Sequence, residues 1–70
     1  MPANQKYSMR VDSRRQLGRA SEHVLAASKV LCEIGPRYEE ALPRVSMACK
    51  ELNEMMIMAD SMITDIKENM

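Results

Sequence analysis

The methionines are the first residues of this chain that could do chemistry, because thioether sulfurs bind Cu(I). Eight of the 70 residues are Met, and four of them fall in the stretch EMMIMADSMI, residues 54–63. On a helix, Met56 and Met58 lie ~200° apart and cannot bind the same ion. Met58 and Met62 share a face, but two thioethers alone make a poor site. We therefore expect no metal and no cofactor, and we interpret the stretch as an adaptable surface that packs against a partner.

His23 and Cys49 are the residue types of a Cys–His nucleophile pair or of half a zinc site. An antiparallel hairpin in which facing residue numbers sum to 72 would place them level with each other. An enzyme would also need a group that orients the histidine, a pocket and oxyanion donors, and zinc would need two more ligands from another chain. The sequence has no Gly-rich phosphate loop and no paired acid–base carboxylates. We expect a small apolar thiol beside a partly solvated histidine, and a chain that is not an enzyme.

The length of the chain and its two cysteines limit the class of protein. Seventy residues form at most one small domain, which buries only ~60% of its unfolded surface and usually needs extra stabilisation. Cys32 and Cys49 lack CxxC spacing and are too few for a disulfide framework. The N-terminus lacks a signal-peptide pattern, and no apolar run approaches the ~20 residues of a membrane span. We expect an intracellular protein, cytoplasmic or nuclear, with reduced cysteines, that gains stability by association.

Two helices account for most of the chain in the predicted architecture. Residues 1–11 are polar and aperiodic, and we predict a disordered N-terminal arm there. Ser13 and Gln16 have the spacing of a capping box, in which each side chain bonds an unpaired backbone donor at a helix start. This spacing predicts that helix 1 covers about 13–34 of a hairpin that spans 12–70.

The dipeptide Gly35-Pro36 predicts the turn, residues 35–37, because Gly accepts a left-handed cap and Pro cannot continue the hydrogen-bond ladder. Helix 2 is predicted over about 38–68, but Pro43 interrupts its first turns, so the helix either starts near Leu42 with Pro43 in its first turn or is kinked at Pro43. The predicted fold class is therefore all-α: an antiparallel helical hairpin in which the second helix is the longer one.

Apolar residues recur along both helices at alternating gaps of three and four, which is the heptad stripe of a coiled coil. In an antiparallel hairpin, facing residue numbers have a constant sum, and a sum of 72 aligns the two stripes. Four successive layers then pair a large residue with an alanine, which favours even packing. The predicted hairpin seam consists of Leu17, Ala20, Val24, Ala27, Leu31, Ile34, Ala41, Val45, Ala48 and Leu52.

The same register leaves the C-terminal third of helix 2 without an apolar partner inside the chain. Met62, for example, would face Arg10. A further apolar column at seven-residue spacing, which includes Met56 and Ile63, makes the face wider than one neighbouring helix can cover. We predict that another chain covers this surface and contacts Met55, Met56, Ala59, Met62, Ile63 and Ile66.

In general form, heptad stripes on a short hairpin resemble the small helical subunits of multi-chain coiled-coil assemblies, such as kinetochore, lysosome-biogenesis or spindle complexes. The expected function is a non-catalytic assembly or adaptor subunit that contributes a helical hairpin to a homo- or hetero-oligomeric bundle. The expected partners are helical protein subunits, either copies of the chain or foreign, with no membrane span and no small-molecule substrate.

An alternative function, as a small nucleic-acid-associated or regulatory binder, would use the basic face of helix 1. The net charge is zero, but residues 1–30 sum to +4 and residues 31–70 to −4. This balance favours neutralisation of one half by the other, and cations without stacking aromatic residues are a weak signal for nucleic acid. The residues that could contact phosphates or an acidic partner are Arg10, Arg14, Arg15 and Arg19.

Overall fold

A computed structural model describes residues 3–70, with side chains described from Ser8 onward. The chain forms two helices, α1 over Ala3–Arg37 and α2 over Pro43–Glu68, which pack against each other. The molecule is a rod of 59 × 15 × 13 Å, and α1 alone, at ~1.5 Å per residue, accounts for most of its length. The predicted all-α class and the two packed helices are confirmed, and residues 3–70 contain no strand.

Helix α1 begins at Ala3, so residues 3–11 are helical where the sequence predicted a disordered arm. Ser13 and Gln16 lie inside the helix and form no capping box at its start. The physical reason is that no Gly or Pro interrupts residues 3–17, and Gln, Lys, Met and Arg in this segment are good helix formers. Met1 and Pro2, the remainder of the predicted arm, lie outside the described residues.

The C-terminal end of α1 runs through Gly35 and Pro36 to Arg37 instead of stopping at residue 34. Neither glycine of the chain has a positive φ, so Gly35 provides no left-handed cap. Pro36 removes the bond that a backbone N–H at this position would donate to the carbonyl of Cys32, but only one residue of the helix follows Pro36, so the loss is limited to the last turn. The backbone N–H of Tyr38 donates to the carbonyl of Gly35 at 3.2 Å and tightens this turn.

Helix α2 begins at Pro43, with Leu42 as its N-cap residue, which matches the predicted alternative in which the helix starts near Leu42 with Pro43 in its first turn. Residues 38–42, which the predicted range of about 38–68 included in the helix, form a loop. Proline suits the first helical position because its missing N–H would be unpaired there. The backbone N–H of Leu42 donates to the carbonyl of Tyr38 at 2.9 Å within the loop. At the other end, the Asn69 side chain donates to the carbonyl of Asp65 at 2.7 Å and closes the last turn. With 35 residues in α1 and 26 in α2, the prediction that the second helix is longer was wrong.

The register between the helices differs from the predicted one. Ser21 donates a hydrogen bond to Asp60, and Ser28 donates one to Asn53, so facing residue numbers sum to 81. The predicted sum of 72 was wrong because the turn is centred near residue 40 and not at Gly35-Pro36, and each residue of displacement changes the sum by two. As a result, α2 lies along α1 for its whole length, and the N-terminal part of α1 extends beyond it.

No apolar side chain between residues 8 and 70 is buried; Gly35 alone falls in the buried class. A Cβ added at Gly35 would lie 3.5 Å from the Cβ of Cys49, so the two backbones approach closely at this point. Gly35 therefore lies at the contact between the helices and does not end α1 as a left-handed cap, and a Cβ at this position would make only ordinary contact. Two helices alone provide almost no core, which leaves little free energy to offset the conformational entropy of folding.

Candidate protein interaction surface

The face of α1 that packs on α2 follows the predicted stripe for part of its length. Half-buried residues recur on α1 at gaps of three and four, as a helix against one neighbour requires. Of the predicted seam residues on α1, all except Ala27 are half-buried. The half-buried residues of this helix are Val11, Ser13, Leu17, Gly18, Ala20, Ser21, Val24, Ser28, Leu31 and Ile34.

The face of α2 that packs on α1 is displaced by one residue from the predicted stripe. It runs along the column that the sequence had placed at the flank, so Met56 and Ile63 lie against α1 while Val45 and Leu52 do not. A displacement by one residue turns the helix by ~100°. The half-buried residues of α2 are Ser46, Cys49, Asn53, Met56, Ala59, Asp60, Ile63 and Lys67.

Polar groups take part in this contact between the helices. The Ser21 and Ser28 hydroxyls donate to side-chain oxygens of Asp60 and Asn53, and all four residues are partly buried. These hydrogen bonds favour one register of α1 against α2, because a shift of one helix by one residue along the other would leave partly buried polar groups without partners. They were not predicted from the sequence, although Ser21 and Ser28 are spaced seven residues apart beside the apolar stripe of α1.

The predicted stripe on α2 is solvent-exposed for most of its length. Val45 is 40% exposed and Leu52 43%, while Met55 and Met62 rise to 61% and 59%. These residues keep the heptad spacing of a helix contact surface without a helix covering them. We call this set the α2 stripe: Val45, Ala48, Leu52, Met55, Ala59, Met62 and Ile66.

The α2 stripe and part of α1 form one continuous side of the hairpin. A shallow groove on the hairpin is lined by Cys32 of α1 and Lys50 of α2, among others. Ile34 lies ~200° from Cys32 around α1, and Leu52 lies ~200° from Lys50 around α2. Both therefore lie on the opposite side from the groove, together with Ala27. We call this side, made of the α2 stripe and the α1 residues Ala20, Ala27 and Ile34, the apolar face.

The predicted partner-contacting residues separate into two groups. Met55, Met62 and Ile66 are exposed on the apolar face, with Ile66 at 50%. Met56, Ala59 and Ile63 are half-buried. The reason given for this surface, an overhang of helix 2, was wrong, since α2 is covered along its length by α1 on one side. Val45, Ala48 and Leu52, which the sequence assigned to the hairpin seam, belong to the exposed surface instead.

The structure does not bring His23 and Cys49 together. At a sum of 81, His23 is level with Met58, which lies nine residues, ~13 Å, along α2 from Cys49. Cys49 is instead level with Cys32, and both are free thiols, Cys32 exposed and Cys49 half-buried. Within the described part of the chain, no three His, Cys, Asp or Glu side chains cluster as metal ligands would.

The four arginines of the predicted basic face are all exposed on α1. The guanidinium of Arg14 donates to the backbone carbonyl of Lys67 at 2.9 Å and so anchors the end of α2. Arg15 and Arg19 border a shallow depression that also contains Asp12, so the basic face includes an acid. Arg14 thus has a structural contact within the chain.

Comparisons with known proteins identify no relative. The chain matches no protein-family model, no curated protein and no solved structure at a significant level. Neither of its two described helices is long and apolar enough to cross a membrane.

Proposed function

We propose that this chain is a non-catalytic assembly subunit that supplies an antiparallel helical hairpin to a multi-chain helical bundle. The observation that carries the proposal is the α2 stripe: seven residues at heptad spacing, five of them large and at least 40% exposed. Isolated apolar residues on a surface are ordinary, but a continuous stripe of them is typical of an interface. The partner in this proposal is a helical surface with its own apolar stripe.

Energetic reasoning supports the same proposal. Fully burying a Leu, Ile or Met side chain contributes about 1.5–3 kcal/mol, and the hairpin buries none of its own in the described residues. Folding of a small chain leaves only a few kcal/mol of surplus even with a good core. Covering the apolar face would supply the missing core, so folding and association are coupled. Methionines suit such a face because their unbranched side chains adapt to the opposing surface.

The test compares two aspartate variants by sedimentation and circular dichroism. Met62→Asp combined with Ile66→Asp places two charges on the α2 stripe. We expect the assembly to dissociate and helix content to fall, because each charge would be desolvated without a partner. The matched control is Met47→Asp, since Met47 is on the same helix and 63% exposed but lies ~130° from the stripe. The control should keep the mass and helicity of the wild type.

Two results would contradict the proposal. One is a wild-type chain that sediments as an 8.0 kDa monomer and melts cooperatively, because such a chain needs no partner. The other is a Met62/Ile66 variant that retains its oligomeric mass, because the α2 stripe would then not be the interface. An isolated chain that is unfolded but becomes helical with a helical partner supports the proposal.

A further inference from the structure

We infer that Cys32 and Cys49 form a redox site, in which Cys32 reacts with a low-molecular-weight disulfide and Cys49 then displaces the small thiol and joins α2 to α1. Both thiols are free in the structure. Both line the same shallow groove, which has residues of both helices in its walls and lies on the side opposite the apolar face. Neither cysteine belongs to the α2 stripe, so the redox site does not depend on the proposed assembly function.

The register places the two cysteines at the same level. Their residue numbers sum to 81, as do those of the pairs that are joined by hydrogen bonds. The helices are in contact about one turn to either side of this level. On one side the Ser28 hydroxyl donates to Asn53, and on the other a Cβ added at Gly35 would lie 3.9 Å from the carbonyl oxygen of Ser46. The backbones at the two cysteines are therefore held close together between two contacts.

The distance that a disulfide requires is nearly provided by the contact at Gly35. A Cβ added at Gly35 would lie 3.5 Å from the Cβ of Cys49, and the Cβ atoms of a disulfide lie ~3.5–4.5 Å apart. Cys32 precedes Gly35 by three residues, so the two positions are neighbours on the surface of α1. A small rotation of α1 about its axis would turn Cys32 toward α2 and bring its Cβ into this range.

Pro36 weakens α1 at the turn where this movement is needed. Proline has no N–H, so the carbonyl of Cys32 lacks the ladder bond that residue 36 would otherwise donate. Only Arg37 follows Pro36 in the helix. The backbone at Cys32 is therefore held by fewer hydrogen bonds than the middle of the helix, and it adjusts to a new bond at lower cost.

The exposure of the two thiols assigns the order of the steps. Cys32 is exposed and Cys49 is half-buried, so the Cys32 thiolate is the one that reaches an oxidant in solution. It attacks one sulfur of a small disulfide such as glutathione disulfide, forms a mixed disulfide and releases one small thiol. The Cys49 thiolate then attacks the Cys32 sulfur, forms the bond between the helices and releases the second small thiol. The two protein thiols lose two electrons and two protons, which the small disulfide takes up as it becomes two thiols.

This bond controls folding because the hairpin has so little core. No apolar side chain between residues 8 and 70 is buried. A disulfide that closes a loop of about 17 residues lowers the equilibrium constant for unfolding by about 100-fold. Oxidation at the groove would therefore raise the population of the folded hairpin, and reduction would lower it again.

The experiment treats the full chain, at micromolar concentration, with glutathione disulfide and maps the products by mass spectrometry. We expect the wild type to become two hydrogen atoms lighter, with the peptides of Cys32 and Cys49 linked. Cys49→Ala should stop at one glutathionyl group on Cys32. Cys32→Ser should react roughly tenfold more slowly, because its remaining thiol is half-buried.

The matched control moves the exposed thiol to the other side of α1 by combining Cys32→Ser with Val30→Cys. Val30 is 50% exposed and lies ~200° around the helix from Cys32, while the loop to Cys49 keeps nearly the same length. We expect at least about tenfold less intramolecular disulfide in this control than in the wild type at one ratio of glutathione to its disulfide. Equal closure in the two chains would overturn the inference, because proximity along the chain would then explain the bond. Wild-type products that are mainly mixed or intermolecular disulfides would also overturn it.

Guanidinium denaturation and circular dichroism then compare the oxidised and reduced wild type. We expect oxidation to lower the equilibrium constant for unfolding by about 100-fold, or to raise the helix content if the reduced chain is unfolded. An oxidised form that is neither more stable nor more helical than the reduced form would overturn the inference. The aspartate variants at Met62 and Ile66 are tested in the reduced chain, so the proposed function and the redox site can fail separately.

Discussion

A new disulfide across the close approach of the two helices measures the register directly. A Cβ at position 35 lies 3.5 Å from the Cβ of Cys49, within the ~3.5–4.5 Å that a disulfide spans. We expect Gly35→Cys, in a chain that also carries Cys32→Ser, to oxidise to an intramolecular bond with Cys49. The bond closes a loop of about 15 residues, which should raise the free energy of unfolding by about 3 kcal/mol.

The assay is guanidinium denaturation of the oxidised and reduced forms of this variant at one protein concentration, with mass spectrometry to map the linked peptides. Gly18→Cys in the same background is the matched control. It replaces the other helical glycine, where an added Cβ would meet no atom within 4 Å apart from its own stretch of helix, and it is far along α1 from Cys49. The control should form no intramolecular bond. In the register that sums to 72, Cys49 would be level with His23, ~18 Å along α1 from position 35. Failure of the disulfide to form, or loss of stability on oxidation, would refute the register in which facing residue numbers sum to 81.

Three further results follow from the same geometry. Gly35→Ala should stabilise the chain by roughly 0.5–1 kcal/mol, since its Cβ makes only ordinary contact at 3.5 Å, whereas Gly35→Leu should cost ~1–3 kcal/mol by overpacking; equal melting temperatures would contradict this. Ser28→Ala and Asn53→Ala should each destabilise the chain, and a double-mutant cycle should return a coupling of ~0.5–1.5 kcal/mol; a coupling near zero would argue against their hydrogen bond. We expect no binding of double-stranded or single-stranded nucleic acid at physiological salt, as measured by fluorescence anisotropy. Salt-sensitive binding would favour the nucleic-acid alternative if the slope of log K against log salt concentration falls by about two with Arg14→Ala and Arg15→Ala.

The helical class could be predicted because it depends on local pattern. Residues from Leu17 to Ile34 repeat at gaps of three and four, and the structure half-buries all of them except Ala27. The ends of the helices could not be predicted as well. Ser13 has a cap-like sequence, but nothing N-terminal to it forbids helix, so α1 continues back to Ala3. Pro36 is a residue that usually ends a helix, but in the last turn of α1 it removes only one hydrogen bond, so the helix continues to Arg37.

The position of the turn determines which apolar column of α2 packs against α1, and the sequence alone did not predict that position. Helix α2 carries two neighbouring apolar columns, one through Leu52 and Met55 and one through Cys49 and Met56. Either column could pack against α1, since both keep heptad spacing and they are related by one residue. A turn centred at residue 36 pairs α1 with the first column, and a turn centred near residue 40 pairs it with the second.

Polar residues beside the columns explain which of the two packs against α1. The spacing of the apolar residues alone does not contain this information. Asn53 and Asp60 lie beside the second column, and Ser21 and Ser28 lie beside the stripe of α1 at matching seven-residue intervals. Only the register that sums to 81 sets these two pairs opposite each other, and each satisfies a partly buried polar group. The column that remains exposed is then the one that contains Met55, Met62 and Ile66. In this chain the polar pairs therefore select the contact inside the hairpin, and that selection leaves the stripe through Leu52 and Met55 exposed.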